Sequence, residues 1–216
     1  MGRDSGASGL SAREITVGYG KDAPILEGLS LDVLEGELTV IVGPNACGKS
    51  TLLRCLARVL GARSGVVELD GVELGTMNQK ALARRLGLLA QSSVAPGDML
   101  VEDLVARGRY PHHGLVRQWS AVDDEAVAGA MRDAGVSALA GRRVGELSGG
   151  QRQRVWIAMA LAQSTDILLL DEPTTYLDLN HQLEVLRLAQ RLQRQGRTIV
   201  AVLHDLHLAF RYATHL

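Results

Sequence analysis

From Leu38 to Val59 the chain reads L-T-V-I-V, then G-P-N-A-C-G-K-S-T, then L-L-R-C-L-A-R-V. An apolar run, a tight loop and an amphipathic helix follow one another without a spare residue. The loop fits the pattern G-x-x-x-x-G-K-[ST], in which Gly43 and Gly48 let backbone N–H groups wrap a phosphate chain. Those donors lie at a helix N-terminus, where unpaired N–H groups and the helix dipole favour an anion. Lys49 is expected to reach the β- and γ-phosphates, and the Ser50 hydroxyl to ligate the Mg²⁺ that bridges them. Such a loop needs a buried strand before it and a helix after it, so the chain is constrained to an α/β core.

The rest of the chain supplies matching pieces. Residues 1–11 are small, polar and glycine-rich and read as a frayed terminus. Ile15–Tyr19 and Ile25–Val33 read as strands of an antiparallel flap, with Tyr19 either stacking on a base or packing within the sheet. Val66–Leu69 with Asp70-Gly71 reads as a strand and tight turn, followed by a short helix over Gln79–Arg85. The strand Leu86–Ala90 ends in Gln91, placed for a metal or water contact. Helices are expected over Val101–Arg107 and Val122–Ala134, the second opened by a Ser120-x-x-Asp123 capping box with Val127, Ala130, Met131 and Ala134 on one face.

Ser148, Gly149 and Gly150 in L-S-G-G-Q start another helix and form either a second anion site or a capped turn. Ile167–Leu170 is a continuous apolar strand of the buried parallel kind, ending in Asp171-Glu172. Carboxylates at that end lie beside the phosphate loop, where Asp171 can hold Mg²⁺ through water and Glu172 can orient the attacking water. Asp178 sits in the next loop, and a helix runs from it to Gly196. The last buried strand, Thr198–Leu203, carries His204 to the place a γ-phosphate would occupy.

Bulk properties exclude several classes. The 216 residues suffice for one sizeable domain, and a formal net charge of −1 with few aromatics gives no reason to expect nucleic acid as a partner. No apolar run approaches the ~18 residues needed to cross a bilayer, and the start lacks a signal-peptide core. A cytosolic protein is expected, with any membrane role supplied by a partner. Cys47 and Cys55 lie about 12 Å apart at ~1.5 Å per helical residue, so both are expected to be thiols.

Taken together, G-P-N-A-C-G-K-S-T, Gln91, L-S-G-G-Q, I-L-L-L-D-E-P, Asp178 and His204 closely resemble the ATPase subunit of an ATP-binding cassette transporter. The resemblance implies a P-loop NTPase core with a mainly parallel sheet, an N-terminal antiparallel β-subdomain and an inserted helical subdomain. The whole chain, 1–216, would be one ATPase domain, with 12–91 and 163–216 as core and flap and 92–162 as the helical part. It implies that Tyr19 stacks on adenine and that Gly43, Pro44, Asn45, Ala46, Cys47, Gly48, Lys49, Ser50 and Thr51 hold ATP. Ser50, Gln91 and Asp171 would serve Mg²⁺, with Glu172, His204 and Lys49 catalytic. Family members work as head-to-tail homodimers, so Ser148, Gly149, Gly150 and Gln151 would cap the nucleotide of the other subunit, with Asp178 at the shared interface.

R-G-R-Y-P-H (Arg107–His112) and T-T-Y-L-D-L-N-H-Q (Thr174–Gln182) resemble importers of ferric siderophores, haem or cobalamin. That implies transmembrane permease partners, an indirect link to a substrate-binding protein, and a place on the cytoplasmic face of the cell membrane. Alternatives are a different cargo or a non-transport ATPase of the same superfamily. A chromosome-organising relative would carry a long coiled coil between Lys49 and Ser148, and none is present. Ala46 replaces a common glycine of the loop without expected loss. The surface expected to grip a permease is Met99–His113, with Arg109 and Tyr110 exposed on it. Relatives continue beyond the His204 helix, so Leu206, Leu208, Ala209 and Phe210 are expected to lie open as an apolar surface.

Overall fold

The computed structural model describes residues 9–91, 95–113, 119–175 and 177–216; the first eight residues of the stretch read as frayed lie outside it. In chain order come the strands β1 (Leu10–Val17), β2 (Leu26–Asp32) and β3 (Leu38–Ile41), then the helix α1 (Lys49–Leu56). Next are β4 (Ser64–Leu69), β5 (Val72–Glu73), α2 (Gln79–Ala83) and β6 (Leu86–Leu89). The helices α3 (Val101–Ala106), α4 (Ala121–Asp133) and α5 (Gly149–Ala162) follow, and then β7 (Ile167–Leu170), α6 (Leu179–Arg194), β8 (Thr198–Val202) and α7 (Leu206–Tyr212).

Two sheets result. β2, β1, β4 and β5 pair antiparallel in that order, and β3, β8, β7 and β6 pair parallel in that order. The parallel sheet is covered on both faces, which explains why β7 and β8 are buried at every position. Period-two alternation divides their side chains cleanly. Ile167, Leu169, Val200 and Val202 pack with Leu52, Leu53 and Leu56 of α1 and with Ile15, Val17, Val67 and Leu69 of the antiparallel sheet. Leu168, Leu170, Ile199 and Ala201 face the opposite way and pack with the helices α3 to α7. α5 is therefore shared: Val155 and Ile157 lie in the same apolar cluster as the sheet and as Val127 and Met131 of α4.

Most elements lie within a residue or two of the sequence-based bounds, and three differences have physical causes. β1 starts at Leu10, not Ile15, because Leu10 and Ser11 are buried against β4 and the Gly9 amide donates to the Asp70 carboxylate at 2.9 Å. The Asp70-Gly71 turn has φ values of 52° and 74°, the left-handed pair that joins two tightly hairpinned strands. Arg107–His112 is a 3₁₀ segment that carries Arg109 inward. Arg109, expected on the surface, is only 3% exposed and clamps the helical part from within. Its Nε donates to Asp123 at 2.9 Å, and its Nη1 donates to the Ala162 carbonyl at 2.8 Å and to the Ser164 hydroxyl at 3.0 Å. Asp123 completes the expected capping box with Ser120. On α7, Leu208 and Ala209 are buried against the core, and only Leu206 and Phe210 of the four expected residues are exposed.

Candidate active site

The parallel register brings four strand ends level. Leu170 lies opposite both Leu89 and Ala201, and Ile41 lies opposite Val202. The residues that follow these strands, loop 43–48, Gln91, Asp171-Glu172 and His204, therefore emerge along one edge of the sheet, where ligands bind in open α/β folds. An open cavity of about 420 Å³ lies at this edge, with Ile25, Asn45, Ala46, Gly48, Lys49, Ser50, Thr51, Gln91, Glu172 and His204 on its wall.

The helix α1 begins with Gly48 at φ 97° and no side-chain cap. α2, α5, α6 and α7 instead have Asn78, Ser148, Asp178 and Asp205 accepting from their first amides. The α1 amides are thus left for an anion from outside the chain. Lys49, 7% exposed, turns its ammonium back on the loop and donates to the carbonyls of Gly43 at 2.9 Å and Pro44 at 2.7 Å, with the Cys47 sulfur at 3.9 Å. Cys47 and Cys55 are both free thiols, and burial pushes the Cys55 thiol up.

Behind the loop, Ser50 Oγ donates to Asp171 Oδ1 at 2.7 Å. Asp171 is 1% exposed, and its other oxygen, Oδ2, has no hydrogen-bond partner among the described residues. Burial raises its pKa despite the Ser50 hydrogen bond that pulls it down, and the neighbouring Glu172 charge raises it further. A buried carboxylate with one open oxygen is a place for a cation's water shell. Among the described residues no cluster of three or more His, Cys, Asp and Glu could hold a metal alone.

Glu172 occupies the left-handed region at φ 52°, a conformation that costs a side-chain-bearing residue ~1 kcal/mol or more. Both of its oxygens are engaged. Oε2 accepts from Gln91 Nε2 at 2.5 Å and from Thr175 Oγ1 at 3.1 Å, and Oε1 lies 2.6 Å from His204 Nε2. Residues from three strand ends thus meet on one carboxylate.

Other expected site residues lie elsewhere. Tyr19 is not on the cavity wall; its hydroxyl accepts from Arg54 of α1 at 3.0 Å. Ser148, Gly149, Gly150, Gln151 and Asp178 also lie outside the cavity, at the starts of α5 and α6. Sequence reasoning missed Ile25 and Thr175. Ile25 follows Pro24 at the foot of β2, and Thr175 stands three residues beyond Glu172; both spacings were available as signals.

The family model described as ABC transporter matches residues 26–175. The chain is 52% identical over 208 residues to the ferric enterobactin transport ATP-binding protein of Escherichia coli K12, covering 96% of this chain and 76% of that protein. It is 45% identical over 208 residues to the iron(3+)-hydroxamate import ATP-binding protein of Bacillus subtilis 168, covering 96% and 77%. It superposes with a TM-score of 0.80 on a dimeric ATP-binding cassette in a post-hydrolysis state with ADP and Pi, at 26% identity and covering 94% and 91%. The fold and site define a P-loop ATPase cassette, and the chain belongs to the ABC transporter family. It is an ATP-binding subunit that hydrolyses ATP.

Proposed function

We propose that the chain drives import of a ferric chelate, with Glu172 as the catalytic carboxylate and Mg²⁺-ATP in the cavity beside it. The observation that carries this reading is the convergence of Gln91, His204 and Thr175 on Glu172 at the edge of loop 43–51. With ATP bound, Lys49 exchanges its two loop carbonyls for the β- and γ-phosphates, which offer full negative charge in their place. Ser50, Gln91 and Asp171 are the side chains that would hold Mg²⁺, which neutralises charge building on the phosphates. His204 moves from Glu172 to the γ-phosphate, and the freed carboxylate accepts a proton from the attacking water. The two relatives named above, both carrying iron(III) complexes in their names, support a ferric chelate as cargo.

The Ser148–Gln151 turn and Asp178 lie outside the cavity of their own chain, so a second copy placed head to tail would supply them to the nucleotide. No helix among the described residues is long and apolar enough to cross a membrane. Permease subunits would then hold this chain at the cytoplasmic face. A groove of about 530 Å³ lined by Met99, Asp103, Ala106, Arg107, Tyr110 and Trp119, within the helical segment 92–162, is suited to take them.

Glu172→Gln tests the reading. It keeps the shape and removes the base, so hydrolysis should fall by about 10²–10⁴-fold while ATP is retained and locks a dimer on size exclusion. A variant that stays monomeric with ATP and still turns over normally sinks it.

A further inference from the structure

The starts of α5 and α6 lie side by side, and one residue joins them. Ser148 Oγ accepts from the Gln151 amide at 3.3 Å, and Gln151 Oε1 accepts from the Ser148 amide at 3.1 Å. Asp178 caps the other helix, its Oδ1 accepting from the His181 amide at 3.0 Å. Asp178 Oδ2 lies 2.8 Å from His181 Nδ1, which fixes the imidazole as an Nδ1–H donor. The ring then lies on Gly150: a Cβ placed there would come 2.5 Å from His181 Cδ2 and 2.7 Å from Cγ. One turn further along, Arg154 Nη1 meets Glu184 Oε2 at 3.0 Å.

A planar ring pressed on a bare glycine backbone, with its edge bonded to a carboxylate, is fixed in orientation from both sides. None of these groups lines the cavity of its own chain. We infer that His181 is a positioning residue: it locks the turn Ser148–Gln151 to Asp178, so that both reach the nucleotide of a second subunit as one preset surface. The inference rests on the head-to-tail reading above. A solvated surface histidine would show neither contact.

The test separates binding from closure. His181→Ala should bind ATP with unchanged affinity and KM, because loop 43–51 is untouched. Its kcat, and the ATP-driven dimerisation of a His181→Ala/Glu172→Gln double variant, should each fall about tenfold relative to the parents. His181→Asn, whose amide can donate to Asp178 in place of Nδ1, should recover part of the loss. Gly150→Ala should be as damaging as His181→Ala, and the two together less damaging than their product, since removing the ring removes the clash. Wild-type kcat and dimerisation in His181→Ala, with the Glu172→Gln parent dimerising normally, overturns the inference and leaves the dimer reading standing. A parent that does not dimerise with ATP takes both down. A raised KM with a melting temperature lowered by several degrees would show a merely structural histidine and also overturn it.

Discussion

The Arg109–Asp123 pair and the Glu172 carboxylate are both wrapped in hydrogen bonds, yet the two places are built for opposite ends. Arg109 and Asp123 are 3% and 0% exposed and are bonded to each other, to the Ala162 carbonyl and to the half-buried Ser120 cap. Glu172 is held by groups at the wet edge of the sheet, of which the His204 side chain is 43% exposed. A bond whose donor can turn to water or phosphate at little cost is exchangeable; one whose donor would be stranded in the core is not. The two buried aspartates show the same contrast. Burial alone would raise Asp123, but the hydrogen bonds from Ser120 and Arg109 outweigh it and hold the carboxyl well below the usual range. Asp171 has too few such partners, and burial leaves it raised.

The largest effect that could break this comparison is at the fixed cluster. Asp123→Ala, or Arg109→Glu, strands a buried charge and should cost about 3–5 kcal/mol in denaturant unfolding. Both tryptophans, Trp119 and Trp156, lie in the helical part and report on it by fluorescence. Because the folded Asp123 has the lower pKa, its contribution is fully present above the unfolded value of about 4 and is lost progressively as pH falls from there through the folded one. The stability gap between wild type and Asp123→Ala, read from tryptophan fluorescence in denaturant, should therefore be widest above pH ~4 and shrink below it.

At the exchangeable site the same kind of change should spare the fold. Asp171→Asn keeps an oxygen for Ser50 and relieves a buried charge, so thermal stability should hold or rise while Mg²⁺-dependent hydrolysis collapses. Loss of stability comparable to that of Asp123→Ala would erase the distinction. The smallest effect concerns Ala46, whose φ of 60° is one that glycine takes freely. Ala46→Gly should stabilise the protein by roughly 0.5–1 kcal/mol, read as a raised melting temperature.

These cases also show what could be read from residues in a row. β7 was legible because four apolar residues in succession have nowhere to go but between two layers, and Asp171-Glu172 mark where they end. The phosphate loop and the Ser120 capping box are local patterns and appear where expected. β1 was cut short because what holds Gly9 is a carboxylate 61 positions away. Arg109 was taken for a surface cation because its burial depends on Asp123, Ala162 and Ser164, which no short spacing connects to it. Backbone strain at Ala46 and Glu172 is likewise invisible in a string of letters, since the general pattern leaves the first position open and asks only for an acid at the second.

The segment after α7 bears on the strand that carries the phosphate loop. β3 is one of the two outer strands of the parallel sheet, and its free side is filled by residues 214 and 215. Val40 donates to the His215 carbonyl at 2.9 Å, Thr214 and His215 donate to the Leu38 carbonyl at 3.0 and 3.2 Å, and Leu38 donates to Thr214 Oγ1 at 2.7 Å. An unpaired, apolar outer strand is a template for recruiting a strand from another molecule. Two residues thus close this edge of the sheet to another molecule's strand, and in the same stroke hold the strand behind Gly43 from both sides.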